Sequence, residues 1–354
     1  MGVELSNVIN RGRQLDPAIA WCNCTMSTSS TQHAPTAKTT SYVVGAYAAS
    51  PAHGTWHPDL EEEFYSGLAA MPRVNALEIP WLGRLHPHDD RWLLTHFPAR
   101  FTAVVTGIGN VMSTADELGL ASPDEDARNK ALATTKKLLG DVRRFNDEVG
   151  RQVVSAVELH SAPRGTGTAE ALAASLDEVA AWDWEGAQLL VEHCDAFISG
   201  QTPEKGFLRL EDEIAAIRSS GTPVKISMNW GRCAIELRGG DQVADQVGEA
   251  AASGLLDGII FSGAADREGE AGYAWIDAHH AFQRSPQHQL GDPTSLLTEE
   301  RVADALRAAR SAGDANAPQW LGVKVGWAHP AGTVAERLQM VADALDGVER
   351  AKRS

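Results

Sequence analysis

Glu78, Glu158, His160, Glu192 and Lys324 stand at or near the ends of short runs of β-branched and apolar residues, as in Ala-Leu-Glu-Ile-Pro, Ala-Val-Glu-Leu-His, Leu-Val-Glu-His and Gly-Val-Lys-Val. A strand of a parallel sheet is covered on both faces, so a charge placed there must pair or meet a ligand. If these residues face one pocket, its mouth is lined by three carboxylates, an imidazole and an ammonium, residue types that can carry general acid–base chemistry on a bound ligand. Asn229 and Ser262 occupy equivalent strand ends, and Arg232 follows closely in Asn-Trp-Gly-Arg, so these three can orient hydroxyl or anionic groups. Glu78 is a further candidate for binding substrate. Trp81, Trp230 and Trp327 also follow strand ends, where an indole can offer an apolar wall to the C–H face of a sugar.

Each residue also has a structural reading. Glu78 could tie down a loop, Lys324 could sit in a buried salt bridge, and Arg232 could cap a loop. His193 is expected to be a core histidine bonded to a backbone carbonyl. His160 shares the face of Glu158, because residues two apart on a strand point the same way, and this favours a functional role.

Eight apolar, β-rich runs must position these groups: Tyr42 to Tyr47, Ala76 to Pro80, Phe101 to Gly107, Val153 to His160, Ala187 to His193, Val224 to Asn229, Gly258 to Ser262 and Leu321 to Val325. Stretches of helical period lie between them, at Pro58 to Met71, Asp124 to Val149, Thr168 to Trp182, Leu210 to Ser219, Gln242 to Ser253 and Thr298 to Ala312, with Thr333 to Ala351 after the last run. Alternating strands and helices with crossover-length connections predict a parallel sheet, and eight repeats predict its closure into a single (β/α)8 TIM barrel. An open doubly wound sheet is the rival architecture, but no strand is followed by G-x-G-x-x-G. In a barrel, side chains at the strand ends converge on one cup. The connection Gly263 to Ser295 after the seventh strand is long and emerges on that same face, where it can form a lid or an oligomer contact.

The chain has 354 residues, with 31 Lys and Arg against 47 Asp and Glu for a net charge of −16. Such an acidic balance, without a basic stripe, argues against a nucleic-acid partner. With 43% hydrophobic and 22% charged residues the composition is that of a globule. No apolar stretch approaches the roughly 20 residues that span a bilayer, and the start lacks a secretory pattern, so a cytoplasmic location is expected. Residues 1–40 read as a disordered Ser/Thr-rich lead and 41–354 as the barrel domain. Translation could begin at Met1 or at Met26, and the later start would remove the pair Cys22 and Cys24. Four scattered cysteines, which also include Cys194 and Cys233, are read as reduced thiols.

The succession Leu-Glu-Ile-Pro-Trp, Glu-Leu-His-Ser-Ala-Pro, Glu-His-Cys-Asp, Glu-Lys-Gly-Phe, Asn-Trp-Gly-Arg and Phe-Ser-Gly-Ala resembles a branch, described as a domain of unknown function, of the xylose isomerase-like barrel superfamily. The likeness runs from about Ser41 to the C-terminus. It implies a TIM barrel, a small-molecule carbohydrate as ligand, and isomerase or epimerase chemistry on a sugar or sugar acid. Many epimerases of that superfamily hold one divalent metal, such as Mg or Mn, with Glu, Asp, His and Glu from strands five to eight. Laid onto this chain, the first position is Glu192, but the next three are Asn229, Ser262 and Lys324. An ammonium beside a divalent ion opposes its binding, so Lys324 is expected to take the metal's place as electrophile, with Glu192 and Glu158 moving protons. With a different strand register, Glu158, His160, Glu192 and a loop histidine such as His279 would collect the metal instead. Two further readings stay open: a lyase or aldolase that forms a Schiff base on Lys324, and a carbohydrate-binding barrel without catalysis. The superfamily's nucleases need a richer set of metal ligands and a cationic approach.

Overall fold

The computed structural model describes residues 42–313, 317–328 and 331–354. The expected lead, with Cys22, Cys24 and Met26, lies outside the described residues.

Eight strands pair in parallel and in sequence order, β1 (Tyr42–Val44), β2 (Val74–Pro80), β3 (Thr102–Thr106), β4 (Val154–Leu159), β5 (Gln188–His193), β6 (Lys225–Asn229), β7 (Leu256–Phe261) and β8 (Trp320–Val323), and β8 closes on β1. The intervening helices are α1 (Ala46–Ala49), α2 (Pro58–Ala70), α3 (Asp90–His96), α4 (Ile108–Met112), α5 (Glu125–Val149), α6 (Ala169–Ala180), α7 (Leu210–Ser220), α8 (Trp230–Leu237), α9 (Val243–Ala252), α10 (Glu299–Ser311) and α11 (Val334–Arg353). The fold is a (β/α)8 TIM barrel, and each predicted strand and long helix appears within a few residues of its expected bounds. Helix starts follow their caps: the Asp124, Thr168 and Thr298 side chains accept the N–H of Ala127, Ala171 and Arg301, and Thr333 with Glu336 forms a capping box.

Four short helices, α1, α3, α4 and α8, are additions to the expected pattern. α8 matters most, because it moves Arg232 from a loop to a first helical turn. The Asn229 side chain accepts the Arg232 N–H at 3.4 Å and caps the helix. A Cβ on Gly231 would stand 2.6 Å from the Ser262 carbonyl, so glycine lets this turn close over the end of β7.

The barrel interior changes character along its axis. Val43, Ala76, Val104, Ala156, Leu190, Ile260 and Trp320 form a buried apolar floor. Two residues further along the same faces come Glu78, Thr106, Glu158, Glu192, Ser262 and, beyond Gly322, Lys324. Gly258 makes room for the floor, since a Cβ there would fall 1.9 Å from the Trp320 ring. Between β7 and α10 the described residues hold only isolated bridges, among them Gly263 with His280 and Ala265 with Ser295, as the long predicted loop requires. Among the described residues, no helix is long and apolar enough to cross a membrane.

Candidate active site

Glu78, Glu158, His160, Glu192, Asn229, Ser262 and Lys324 converge at the C-terminal end of the barrel, and each is at most 2% exposed. Arg232 enters the same cup from α8 and is 1% exposed. Opposite charges alternate across it. The Lys324 ammonium donates to Glu78 Oε1 at 2.6 Å and to the Tyr47 hydroxyl at 3.3 Å, and lies 3.9 Å from Glu192 Oε1. Arg232 Nη1 stands 2.5 Å from Glu192 Oε1 and 3.2 Å from Cys194 Sγ, while its Nε donates to Asp277 Oδ2 at 3.2 Å. Lys205 Nζ completes the series 2.9 Å from the same Asp277 oxygen. A Cβ on Gly45 would meet Lys324 Cγ at 2.6 Å and Glu78 Oε2 at 2.8 Å, so glycine at the end of β1 leaves the space that this pair fills.

Glu192 is the hub. His160 Nε2 lies 2.8 Å from its Oε2, Thr106 Oγ1 donates to the same oxygen at 3.4 Å, and Asn229 Nδ2 donates to Oε1 at 3.4 Å. Burial favours its neutral form, but Arg232, Lys324 and the His160 hydrogen bond outweigh this and hold its carboxyl well below the usual carboxylate range. Glu158 goes the other way: burial, then repulsion from Glu192 and Glu78, push it well above that range, and the Lys324 charge and the Ser227 hydroxyl at 2.8 Å offset this only in part. Burial also raises Glu78, against the pull of Lys324. At Lys324 burial opposes the charge, yet Glu78, Tyr47 and Glu192 hold the ammonium well above its ordinary value. Burial keeps His160 neutral at physiological pH, so its Nε2–H donates to the Glu192 carboxylate and Nδ1, without a hydrogen-bond partner, is a bare acceptor.

One oxygen each from Glu78, Glu158 and Glu192 lie within 4.8 Å of one another, as do ligand atoms of His160, Glu192 and Cys194, so either group could hold a metal ion. Glu78 Oε2 and Glu158 Oε2 have no hydrogen-bond partner, which suits such an ion. The charge balance does not: Lys324 and Arg232 already neutralise Glu78 and Glu192 at short range, and a divalent ion would be placed against two fixed cations. The side chains therefore do not fit a resident metal while Lys324 stays between the carboxylates.

The expected site residues take the following places. Arg232, His160 and Asn229 all contact Glu192. Trp230 is fully buried in the core outside the barrel, so its ring is no wall of the cup. Trp81 is turned toward α5, where its indole N–H donates to Asp141 at 2.8 Å, and it lines a narrow cavity that also reaches Glu158 and His160. Trp327 lines an open hollow of about 660 Å3 with Tyr47, His53 and His279. Ser262 Oγ lies 3.1 Å from His279 Nδ1, which ties the long loop to the end of β7. His193 is a core residue as expected, but its partners are carboxylates rather than a carbonyl: Nδ1 lies 2.8 Å from Glu213 and Nε2 3.3 Å from Glu236.

Burial opposes the charge on His193, but Glu213 and Glu236 lift its pKa to about 10. Because the folded value exceeds the unfolded one of about 6.5, this cluster contributes its full stability below pH 6.5 and loses it as pH rises through about 10. Urea unfolding at pH 6, 8 and 10 should show that decline, and His193→Gln should flatten it.

Tyr47, Cys194, Lys205 and Asp277 complete the cup and were not among the candidates read from the sequence. Lys205 lies in the Glu-Lys-Gly-Phe motif and Cys194 in Glu-His-Cys-Asp, so two of them had a signal in the motif succession.

The Salmonella typhimurium protein STM3670 is 33% identical over 325 residues, which cover 89% of this chain and 98% of that one. Two solved structures share the fold. D-allulose 3-epimerase from Methylomonas sp. matches with 12% identity and a TM-score of 0.51 over 88% of this chain and 98% of the enzyme. A xylose isomerase-like TIM barrel fused to a 4-hydroxyphenylpyruvate dioxygenase matches with 11% identity and a TM-score of 0.54 over 90% of this chain and 44% of the fusion. These likenesses show the shared barrel fold. The family model described as Domain of unknown function (DUF4862) matches residues 43–340, and the chain belongs to that family.

Proposed function

We propose that the barrel, read as one catalytic domain over residues 41–354, is an isomerase or epimerase that moves a proton next to the carbonyl of a free sugar, with its own ammonium in place of a metal. The observation that carries this reading is the pairing of Glu192 and Glu158, whose oxygens approach within 4.8 Å while their surroundings favour opposite protonation states. One carboxylate accepts a proton while a neighbouring carboxylic acid is ready to give one.

Lys324 has three N–H donors, and Glu78 and Tyr47 engage two of them. The third can meet a substrate carbonyl oxygen. When that oxygen draws Lys324 and Arg232 away from Glu192, the carboxylate loses the contacts that depress its basicity. Glu192 then takes the α-proton, the C–H electrons form the enediolate, and Lys324 balances the charge on oxygen. Return of a proton from Glu158 to the opposite face of the same carbon inverts it; return to the former carbonyl carbon, with the α-hydroxyl proton passing to the oxyanion as the new carbonyl forms, isomerises the sugar. The hollow beside Tyr47, His53, His279 and Trp327 borders the cup through Tyr47, which contacts Lys324, and His279, which contacts Ser262, and a sugar would approach from there. A Schiff base needs the neutral amine, which the surroundings of Lys324 disfavour, so the aldolase reading receives no support.

Incubation with free ketohexoses in D2O tests the proposal by proton NMR. Loss of the α-C–H signal with appearance of an epimer or aldose is expected. Ketohexoses that bind and are returned with their C–H intact would favour the non-catalytic carbohydrate-binding barrel.

A further inference from the structure

The long connection from Gly263 to Ser295 turns sharply on either side of Asp277: Trp275 has φ 67° and His279 has φ 54°, both in the left-handed region that side chains beyond glycine seldom adopt. Such backbone persists where surrounding contacts impose it. Here they converge on one carboxylate. The Asp277 side chain, 7% exposed, meets Lys205 Nζ at 2.9 Å, Arg232 Nε at 3.2 Å and His279 Nδ1 at 3.3 Å. Its backbone N–H donates to Glu204 Oε2 at 3.2 Å, and the Tyr273 hydroxyl donates to Glu204 Oε1 at 2.7 Å. The loop is thereby fastened to the Glu-Lys segment after β5 and to α8, both of which border the cup.

Arg232 carries the connection inward. Its Nε serves Asp277 while its Nη1 serves Glu192 and Cys194, so one planar guanidinium spans the loop and the central carboxylate. Cys194 lies directly under this bridge and is fully buried, and Cys233 on α8 is also fully buried.

We propose that Asp277 is a positioning residue that latches the loop 263–295 over the cup and, through Arg232, holds the guanidinium against Glu192. The claim concerns access to the cup and is independent of the reaction proposed above. Without Asp277, Lys205 and Arg232 lose their shared anion, and the middle of the loop is left with weaker ties: the Glu204 and Ser262 contacts, the Gly326 N–H to the His279 carbonyl and the packing of Trp275 against Arg238.

Cys194 reports the latch and Cys233 serves as control. The full chain is treated with N-ethylmaleimide under native conditions, and modification at each cysteine is followed by peptide mass spectrometry. In Asp277→Asn, Cys194 should react about tenfold faster or more, as a lowered local opening free energy requires, while Cys233 keeps its rate. Asp277→Glu, which retains the carboxylate, should restore most of the protection. Glu204→Gln, which loosens the loop without touching Arg232, should raise Cys194 reactivity to a smaller degree, and it carries the test if Asp277→Asn does not fold. An unchanged Cys194 rate in the folded variants would overturn the proposal. So would a parallel rise at Cys194 and Cys233, because that denotes general loosening.

Discussion

Replacing Lys324 by methionine should destabilise the protein by about 3–5 kcal/mol, the usual cost of removing one partner from a buried ion pair. Lys324 is fully buried, and its ammonium stands 2.6 Å from Glu78 and 3.9 Å from Glu192. Methionine matches the stem but leaves both carboxylates without this cation. The loss should shrink in mild acid, where Glu78 can take a proton. The double variant Lys324→Met with Glu78→Gln should recover more than half of it, because the second change removes the orphaned charge. Urea denaturation of the two single variants and the double variant gives the coupling directly. Additive losses would mean that the pair contributes nothing as a pair, and the ammonium would then need another reason for its place.

Glu192→Gln should lower α-proton exchange on ketohexoses by about 10²–10⁴-fold, the range expected when a positioned general base is lost. The amide is the same size and can still accept from Arg232, but it cannot take a proton. Arg232 keeps Asp277 as its counter-ion at 3.2 Å, so the fold should survive, with a melting temperature a few degrees lower. A variant that is folded and still exchanges at the parent rate would remove Glu192 from the chemistry. Glu158, a buried carboxyl in the cup with a raised affinity for protons and no lysine bonded to it, would then be the next candidate base.

The eight strands were legible because each is a short β-branched run between stretches of helical period, and because a closed parallel barrel leaves such runs only one consistent arrangement. Glu78, Glu158, Glu192 and Lys324 were legible for a related reason: the two-residue alternation that puts Ala76, Ala156 and Leu190 in the floor puts the polar residue beyond each of them in the cup. Asp277 was not legible as a member of the cup, since it comes from a long connection whose path has no period. Its place depends on Lys205 and Arg232, which are 72 and 45 positions away in the sequence. The placement of Trp230 failed where a strand runs directly into a helix. Asn229 ends β6 and caps α8 at once, and the turn that follows swings the indole into the outer core. His193 was expected to be a core histidine bonded to a backbone carbonyl, but its two carboxylate partners lie on α7 and α8 and could not be inferred from β5.

The most direct test of a protein-supplied electrophile is α-proton exchange in D2O by protein stripped of metal with a chelator and dialysed, with free ketohexoses as substrate. If Lys324 stabilises the enediolate, deuterium enters the sugar at the rate seen before stripping, and added Mg or Mn does not raise it. Exchange that vanishes on stripping and returns with Mg or Mn would contradict the account and assign the carboxylates of Glu78, Glu158 and Glu192 to an ion instead.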